Sequence, residues 1–220
     1  MVPERPVSCD IGVLVDVLRA TSTIVTALAN GATCVRPVSS VEEALEMKGE
    51  GVLVCGERGA QKPEGFDLGN SPLEYTKDRV EGKKIVLTTS NGTVTLEKMK
   101  CEEIVAACFL NLTAVVEYLQ DKENILIVCA GTNGKFSLED FLLAGAIVRK
   151  LKRSDVSDFA HVARKYFESV TDLLEEVKKS SHARYLMKLG FERDVEFCCK
   201  VDSFKVVPVL REKCFVPLNR

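Results

Sequence analysis

Residues 12–23 join an apolar run to an acid, a base and three hydroxyl side chains. The run 13–15 predicts the end of a buried strand that opens onto a helix. In open α/β sheets, ligands bind beyond the carboxyl ends of strands, where the N–H groups and partial positive charge of a helix N-terminus attract anions. We therefore predict a functional site that includes Asp16, Arg19, Thr21, Ser22 and Thr23.

More acids and a second arginine follow other predicted strands: Glu57, Arg58, Asp67, Glu139 and Asp140. Carboxylate oxygens suit Mg²⁺, and the guanidinium fork suits phosphate, sulfonate or carboxylate. Structural explanations exist for two pairs. Glu139 and Asp140 also fit acids that complement a helix N-terminus, and Glu57 with Arg58 fits an exposed ion pair. Asp16 is harder to explain in this way, because an acid directly after a buried strand needs a partner.

The loop at residues 57–71 is the longest stretch without periodicity, and loops of this length in compact domains are commonly functional. Near its end, Asn70 and Ser71 precede Pro72. They can cap a helix and can also, with neighbouring glycines, bring N–H groups close to an anion; the two interpretations are compatible. His182 is interpreted first as a structural or capping side chain, and as a catalytic base only second.

Two later stretches echo each other. Residues 85–97 and 127–139 each combine an apolar run, an Asn-Gly pair, a hydroxyl and Leu-Glu. The echo predicts an internal duplication of strand-turn-helix units whose turns face one cleft. It adds four residues to the candidate binding set: Asn91, Gly92, Thr93 and Gly131. The alternative is that Asn-Gly is simply a favoured tight turn.

The elements that must position these residues alternate between β-rich apolar runs and amphipathic helical stretches. Strands are predicted at 12–17, 33–38, 52–55, 84–88, 103–107 and 125–129, and helices at 21–30, 41–48, 72–77, 92–99, 113–120 and 138–152. A mostly helical segment, 154–190, is expected to pack on the sheet, and 204–210 with 214–216 predict a closing hairpin. The pattern indicates an α/β fold, a three-layer α/β/α sandwich with a largely parallel or mixed sheet. We expect a single domain over residues 1–220.

Composition excludes several functional classes. Thirty basic and 32 acidic residues give a net charge of -2, so no global charge favours nucleic acid or an anionic membrane. The apolar runs are too short to span a bilayer. The dinucleotide pattern GxGxxG and the GxSxG elbow are absent, and residues 131–135 only resemble a P-loop, so redox and Ser-His-Asp chemistry are disfavoured. Apolar helices and β-rich edges would suit a homodimer.

The chain contains nine cysteines, without CxxC or metal-ligand spacing. We expect a reducing cytoplasm, because the count is odd and no signal peptide is recognisable. Four of the cysteines lie in or beside apolar runs and are expected to behave as small buried hydrophobes. These four are Cys34, Cys55, Cys108 and Cys129.

Six blocks together resemble the 2-phosphosulfolactate phosphatase family: VDVLRATSTIVTALANGA, GERGAQKPEGFDLGNSPLEY, LTTSNGT, CFLN, CAGTNGKFSLED and SSHARYLMKLGFERDVEFC. Their order and spacing carry the resemblance, which covers nearly the whole chain. The resemblance implies magnesium-dependent hydrolysis of 2-phosphosulfolactate, or of a closely related small acidic phosphate ester, to sulfolactate and phosphate, as in coenzyme M biosynthesis. It also implies an α/β/α fold with a duplicated core.

Two departures from other phosphatase classes shape the expected mechanism. Leu18 stands where the haloacid-dehalogenase pattern places its second aspartate, and no Cys-x5-Arg loop is present. We expect Asp16 to hold Mg²⁺ together with one or more of the acids Glu57, Asp67, Glu139 and Asp140, which would orient the phosphate and an attacking water. Arg19, Arg58 and helix N–H groups would stabilise the developing charge. Covalent phosphorylation of Asp16 is the rival mechanism, and a non-catalytic, regulatory anion-binding protein is the alternative function.

Overall fold

The computed structural model describes residues 8–218 and contains an eight-stranded sheet. The strands are β1 (Ser8–Val15), β2 (Cys34–Pro37), β3 (Val52–Gly56), β4 (Lys84–Thr88), β5 (Lys100–Ala107), β6 (Ile125–Cys129), β7 (Pro208–Arg211) and β8 (Cys214–Pro217). The six predicted strands are all present, because each is a short β-branched run bounded by turn residues. The predicted closing hairpin is also present, as β7 and β8.

Ten α-helices lie in the described part of the chain. They are α1 (Ala20–Ala29), α2 (Val41–Glu46), α3 (Lys77–Val80), α4 (Gly92–Lys98), α5 (Leu112–Leu119), α6 (Leu138–Leu151), α7 (Asp158–Ser169), α8 (Leu173–Lys178), α9 (Ser181–Lys188) and α10 (Glu192–Cys198). Serine side chains cap α2 and α6, where Ser40 accepts the N–H of Glu43 and Ser137 accepts that of Asp140. The predicted helical character of residues 154–190 is confirmed by α7, α8 and α9.

The sheet is mixed, with the order β3-β4-β2-β8-β7-β5-β1-β6. The strands β3, β4 and β2 form one parallel unit, and β5, β1 and β6 form another. The antiparallel hairpin β7–β8 joins the two units through the middle of the sheet. The α/β fold with a mixed sheet is therefore confirmed. The internal duplication and the single-domain boundary stay predictions.

Helix α1 is buried along residues 20–28 and contacts both parallel units as well as the central hairpin. Its hydroxyl side chains tolerate burial because they bond to nearby main-chain carbonyls. Ser22 donates to the carbonyl of Val17 at 2.8 Å, and Thr26 donates to that of Ser22 at 2.7 Å. The first turn of α1 therefore lies deep in the molecule, next to the end of β1.

One helix prediction was wrong. Residues 72–77 do not form a single helix but a short 3₁₀ helix, Pro72–Glu74, followed by α3. The separation falls at Tyr75, whose side chain is fully buried and donates from its hydroxyl to the Gly69 carbonyl at 2.7 Å. Burial of the Tyr75 ring therefore outweighs the helical periodicity of residues 72–77 in setting the local path of the chain.

The cysteines follow the prediction in part. The thiols of Cys34, Cys55, Cys108 and Cys129 are free, and those of Cys55 and Cys108 are fully buried. The structure also contains a disulfide between Cys9 and Cys101, which are paired across β1 and β5 with their Cα atoms 4.7 Å apart. Sequence alone does not reveal this pairing, because connectivity cannot be deduced from spacing. Among residues 8–218, no helix is long and apolar enough to cross a membrane.

Candidate functional site

Asp16 follows β1 and is buried beside the first turn of α1. Its Oδ1 accepts the N–H of Ala20 at 3.2 Å. Thr21 braces the same turn, since its hydroxyl donates to the Asp16 carbonyl and accepts the Asp16 N–H. Asp16 Oδ2 makes no hydrogen bond with the described residues. This oxygen lies against Gly92, where an added Cβ would come within 2.9 Å of it. The first residue of α4 must therefore be small.

The electrostatics of Asp16 are unusual for a carboxyl group. Its pKa is raised from 3.8 to about 7, mainly by burial and also by the nearby carboxylates of Glu57 and Glu139, although the hydrogen bond from Ala20 acts in the opposite direction. A buried carboxylate with a free oxygen is costly without a cation or a proton. Asp16 is therefore suited to bind a positive ion.

Glu139 and Asp140 begin α6 but differ in how their oxygens are used. Asp140 accepts the N–H of Val17 at 2.9 Å and that of Gly131 at 3.0 Å, so it ties two strand-end loops together. Burial raises the pKa of Asp140, and Glu139 and Asp16 raise it further. Glu139 is equally buried, but its Oε2 has no hydrogen-bond partner among residues 8–218. Of these neighbours, Glu139 is the one left with a free oxygen.

Glu57 follows β3 and is buried with both oxygens occupied. Oε2 accepts the N–H of Ala60 and Oε1 accepts the N–H of Ser90, both at 2.7 Å. These bonds connect the loop after β3 to the loop after β4. The carboxylate of Glu57 therefore shapes the cluster mainly by fixing main chain.

Arg19 is buried and forms an ion pair with Asp194 of α10, with Nη1 2.6 Å from Oδ2. Its Nη2 donates to the Ala60 carbonyl at 3.1 Å, and its guanidinium lies 4.3 Å from the centre of the Phe191 ring. Asp194 also accepts the hydroxyl of Ser71 at 2.7 Å. The C-terminal helices thus hold the arginine in place over the end of β1.

These groups surround a small cavity of about 20 Å³, roughly the space that one water molecule needs. It is lined by Asp16, Leu18, Arg19, Glu57, Ala60, Asn70, Thr89, Asn91, His182 and Leu186. Two polar lining atoms, Asn70 Oδ1 and Thr89 Oγ1, are buried without a hydrogen-bond partner in the part of the chain that the structure describes. Burial lowers the pKa of His182, although Glu139 acts in the opposite direction, so the ring is neutral near pH 7.

The structure brings the two Asn-Gly turns into contact; that they face one cleft stays a prediction. Asn133 donates its N–H to Asn91 Oδ1 at 2.9 Å, so the loop after β6 contacts the first residues of α4. Gly92 borders Asp16, and Gly131 contacts Asp140. Thr93 instead donates its hydroxyl to the Thr89 carbonyl at 2.7 Å.

Several predicted residues lie outside the cavity lining. Arg58 donates to the carbonyls of Glu57 and Ser39 and to the Thr88 hydroxyl. Asp67 accepts the Val54 N–H at 2.8 Å and lies 3.6 Å from the Lys48 ammonium. The hydroxyls of Ser22, Thr23 and Ser71 bond to Val17, Asn70 and Asp194 respectively. These three hydroxyls act as braces around the site.

Sequence reasoning missed Asp194 and Thr89 among the site residues. Asp194 lies in the block FERDVEFC, whose acidic and basic residues have the pattern of an ordinary amphipathic helix. Thr89 lies directly before Ser90-Asn91-Gly92 at the end of β4, so the strand-end argument applied to Asp16 would have found it.

The groups around the cavity include oxygen donors, the ligand type that Mg²⁺ prefers. Within residues 8–218, no group of three or more His, Cys, Asp or Glu side chains is placed to hold a metal ion by itself. Magnesium in phosphate sites is, however, commonly held by one or two carboxylates together with substrate oxygens and waters. Asp16 Oδ2 and Glu139 Oε2, which accept no hydrogen bond from residues 8–218, are two carboxylate oxygens of that kind. The donor set therefore fits the ion.

Buried carboxylates, a fixed arginine and helix N-termini around one cavity are typical of an α/β enzyme that acts on a small anion. The profile of a family described as 2-phosphosulpholactate phosphatase matches residues 2–213. The chain belongs to this family, and the predicted class, a phosphoric monoester hydrolase, is confirmed.

Curated relatives agree with this assignment. A protein of Thermotoga maritima called probable 2-phosphosulfolactate phosphatase is 65% identical over 217 residues, covering 98% of this chain and 96% of the relative. One of the same name from Thermotoga petrophila is 64% identical with the same coverage. Another, from Pseudothermotoga lettingae, is 46% identical and covers 97% of this chain and 95% of the relative.

Proposed function

We propose that the chain is a magnesium-dependent phosphatase that hydrolyses 2-phosphosulfolactate, or a closely related small acidic phosphate ester, to the hydroxy acid and phosphate. The description of its family and the names of its relatives support the substrate. A role in coenzyme M biosynthesis and a cytoplasmic location belong to the same proposal.

The observation that carries the proposal is the set of buried oxygens without partners. Asn70 Oδ1, Thr89 Oγ1 and Glu139 Oε2 are the buried side-chain polar atoms without a hydrogen bond in the described part of the chain. Two of them line the cavity, and the third belongs to a carboxylate close enough to raise the pKa of Asp16. Buried polar atoms are normally satisfied, so their concentration here supports an ionic ligand.

The residues around the cavity have separate roles in metal binding, loop positioning and phosphate binding. Asp16 and Glu139 hold Mg²⁺, while Glu57 and Asp140 fix the loops around them. Arg19 uses two of its five N–H donors on Asp194 and Ala60, so the others are free to contact the phosphate. Bound Mg²⁺ supplies Lewis-acid polarisation of the phosphoryl oxygens. Asn70 and Thr89 provide oxygen acceptors that orient a water for attack on phosphorus.

Substrate entry requires the cavity to enlarge. A space of about 20 Å³ holds roughly one water, whereas a phosphate ester is several times larger. His182 and Leu186 of α9 line one side, and Tyr185 on the same helix donates to the Gly59 carbonyl at 3.2 Å. We propose that α9 moves away from the loop after β3 when substrate binds, and that its return excludes water from the site.

Phosphate release from 2-phosphosulfolactate and from a panel of phosphorylated hydroxy acids tests the proposal. We expect turnover that requires Mg²⁺, stops with a chelator and is fastest with the sulfonated ester. Turnover that persists in chelator would contradict the magnesium requirement. Binding of the ester without phosphate release would favour the non-catalytic anion-binding alternative.

A second experiment separates the two mechanisms. In direct hydrolysis, water attacks phosphorus and the P–O bond to the hydroxy acid breaks, so a single turnover in ¹⁸O water places the label in phosphate alone. If Asp16 is phosphorylated and water then attacks its acyl carbon, the label enters the carboxylate. If water attacks phosphorus instead, a phosphorylated Asp16 accumulates transiently and is detected by mass spectrometry after rapid quenching. We expect neither a labelled nor a phosphorylated Asp16.

A further inference from the structure

The outer side of edge strand β6 has unused hydrogen-bonding groups. Ile11 donates to the Asn124 carbonyl and Ala130 donates to the Val15 carbonyl, which sets the side of β6 that faces β1. Because direction alternates along a strand, Ile125, Ile127 and Cys129 turn their main-chain groups outward. The Ile125 N–H donates to the Glu123 carbonyl, but within residues 8–218 the N–H and C=O groups of Ile127 and Cys129 have no partner.

The opposite edge of the sheet is protected. On β3, Val54 donates to Asp67 Oδ2 and accepts the Asp67 N–H, and Gly56 donates to the Leu68 carbonyl. Natural sheets commonly cover or charge their edges, and β6, with the sequence Ile-Leu-Ile-Val-Cys, carries no charge or proline. The outward main-chain groups of β3 are therefore already occupied. A filament in which β6 of one chain pairs with β3 of the next cannot form. Edge pairing of identical chains can only join β6 to β6.

The surface beside β6 is apolar. Two adjoining cavities, of about 640 and 520 Å³, share Cys129, Phe141 and Phe159. Phe136, Phe159 and Val162 at this surface are 65%, 71% and 55% exposed. Large aromatic side chains exposed together are typical of protein–protein contacts.

We propose that this surface is a homodimer interface in which the β6 strands of two copies pair antiparallel about a two-fold axis at Ile127. The pairing satisfies the main-chain groups of Ile127 and places those of Cys129 opposite Ile125 of the second copy. It closes as a dimer, because each chain offers one free edge. The two adjoining cavities together form a groove beside β6. In the dimer, the residues that line this groove in both copies lie beside the joint sheet and bury the exposed phenylalanines.

Charges at the two ends of the groove complement each other in this arrangement. Glu123, Arg153 and Asp155 lie near the start of β6, and Lys135 and Asp158 lie near its end. An antiparallel two-fold axis places each start against the other copy's end. Glu123 and Asp155 outnumber Arg153, so the start carries a net negative charge and faces Lys135, which has no ion-pair partner within residues 8–218.

Sedimentation velocity over a range of concentrations tests the interface. We expect a species of twice the 24.2 kDa chain mass. Ile127→Pro removes an outward N–H without removing a bond to β1, so it should give a folded monomer. Val162→Lys should raise the dimer dissociation constant at least about tenfold. The matched control is Val201→Lys at an exposed valine outside the groove, which should leave it unchanged.

Charge reversal provides a second test of the interface that does not depend on the folding of Ile127→Pro. Lys135→Glu should weaken the dimer, and adding Asp155→Lys should restore it; failure of the double variant to recover would overturn the antiparallel register. A wild-type monomer at every concentration would overturn the proposal. If such a monomer protects the Ile127 amide from hydrogen exchange until residues 1–7 are removed, that segment of the same chain is the occupant. Phosphatase assays on the same variants measure activity independently of dimerisation, so failure of the dimer proposal can be distinguished from failure of the proposed function.

Discussion

The loops after β1 and after β3 were both predicted to supply the site, and the structure uses them differently. Asp16 and Arg19, in the first loop, both line the cavity, and Asp16 retains an oxygen that accepts no hydrogen bond from the described residues. In the second loop, Glu57 lines the cavity with both oxygens bound to main-chain N–H groups, and Arg58 and Asp67 bond to groups outside it. An acid at a strand end is thus a candidate for chemistry only when the fold leaves its oxygens free.

The sharpest test of this comparison replaces one carboxylate from each loop. Asp16→Asn should reduce kcat by at least about a thousandfold, because it removes the anionic ligand assigned to Mg²⁺. Asp67→Asn in the second loop should stay within about twofold, since its partners are Val54 and Lys48 rather than the cavity. Phosphate release at saturating Mg²⁺ measures both. An equal loss in the two variants would remove the distinction between the loops.

The next largest effect is expected at Asp194, which holds the arginine of the first loop. Asp194→Ala leaves the buried Arg19 guanidinium without its charged partner and should lower the free energy of unfolding by about 3 kcal/mol. Denaturant unfolding measures the loss. The control is Asp172→Ala at the exposed N-cap of α8, which should cost about 1 kcal/mol. Equal losses would mean that the Arg19 pair contributes little beyond an ordinary cap.

Sequence reasoning recovered the fold because its signals are local. The observed bounds of β4 and β6 coincide with the predicted ones, since each is a β-branched run that ends at polar residues. Asp16 was found for a similar reason, as an acid placed directly after a buried run. The 3₁₀ helix at Pro72–Glu74 was missed because burial of Tyr75, a tertiary effect, overrides the local pattern.

The remaining site residues depend on contacts that no local pattern encodes. Asp194 is 175 positions from Arg19, and the Cys9–Cys101 disulfide spans 92. The Arg58 guanidinium points toward acceptors at Ser39, Glu57 and Thr88, and this rotamer depends on where the fold places those acceptors. Such pairings follow from the packing of whole elements, so they became visible only with the structure.

A smaller effect is expected when a saturated carboxylate is made neutral. Glu57→Gln places an amide NH₂ against an N–H donor at either Ala60 or Ser90, so one hydrogen bond is lost and a buried donor is unpaired. The free energy of unfolding should fall by about 2 kcal/mol. Chemical denaturation in chelator measures this, with Glu42→Gln on the exposed face of α2 as the control. A stabilised Glu57→Gln protein would show that this carboxylate, like Asp16, is held at a cost.

The last predicted effect, a change in melting temperature, has the opposite sign at Asp16. Burial raises the folded-state pKa of Asp16 to about 7, so between its ordinary 3.8 and 7 the folded chain binds more protons than the unfolded chain. Stability in chelator therefore falls as the pH rises through this window, and the full penalty is present above pH 7. Asp16→Asn removes the buried charge and should raise the melting temperature by a few degrees at pH 8, but not at pH 4. The lowered pKa of His182 makes stability rise with pH instead. Because His182 is present in both proteins, its contribution largely cancels when the variant is compared with wild type at each pH.

Added Mg²⁺ should reverse this order at pH 8, because the ion compensates the Asp16 carboxylate and stabilises wild type more than the variant. Calorimetry with chelator and with Mg²⁺ at both pH values measures the four differences. If the variant is less stable than wild type in chelator at pH 8, the Asp16 carboxylate is already compensated by the chain itself. The contrast between a free carboxylate after β1 and a saturated one after β3 would then have no energetic basis.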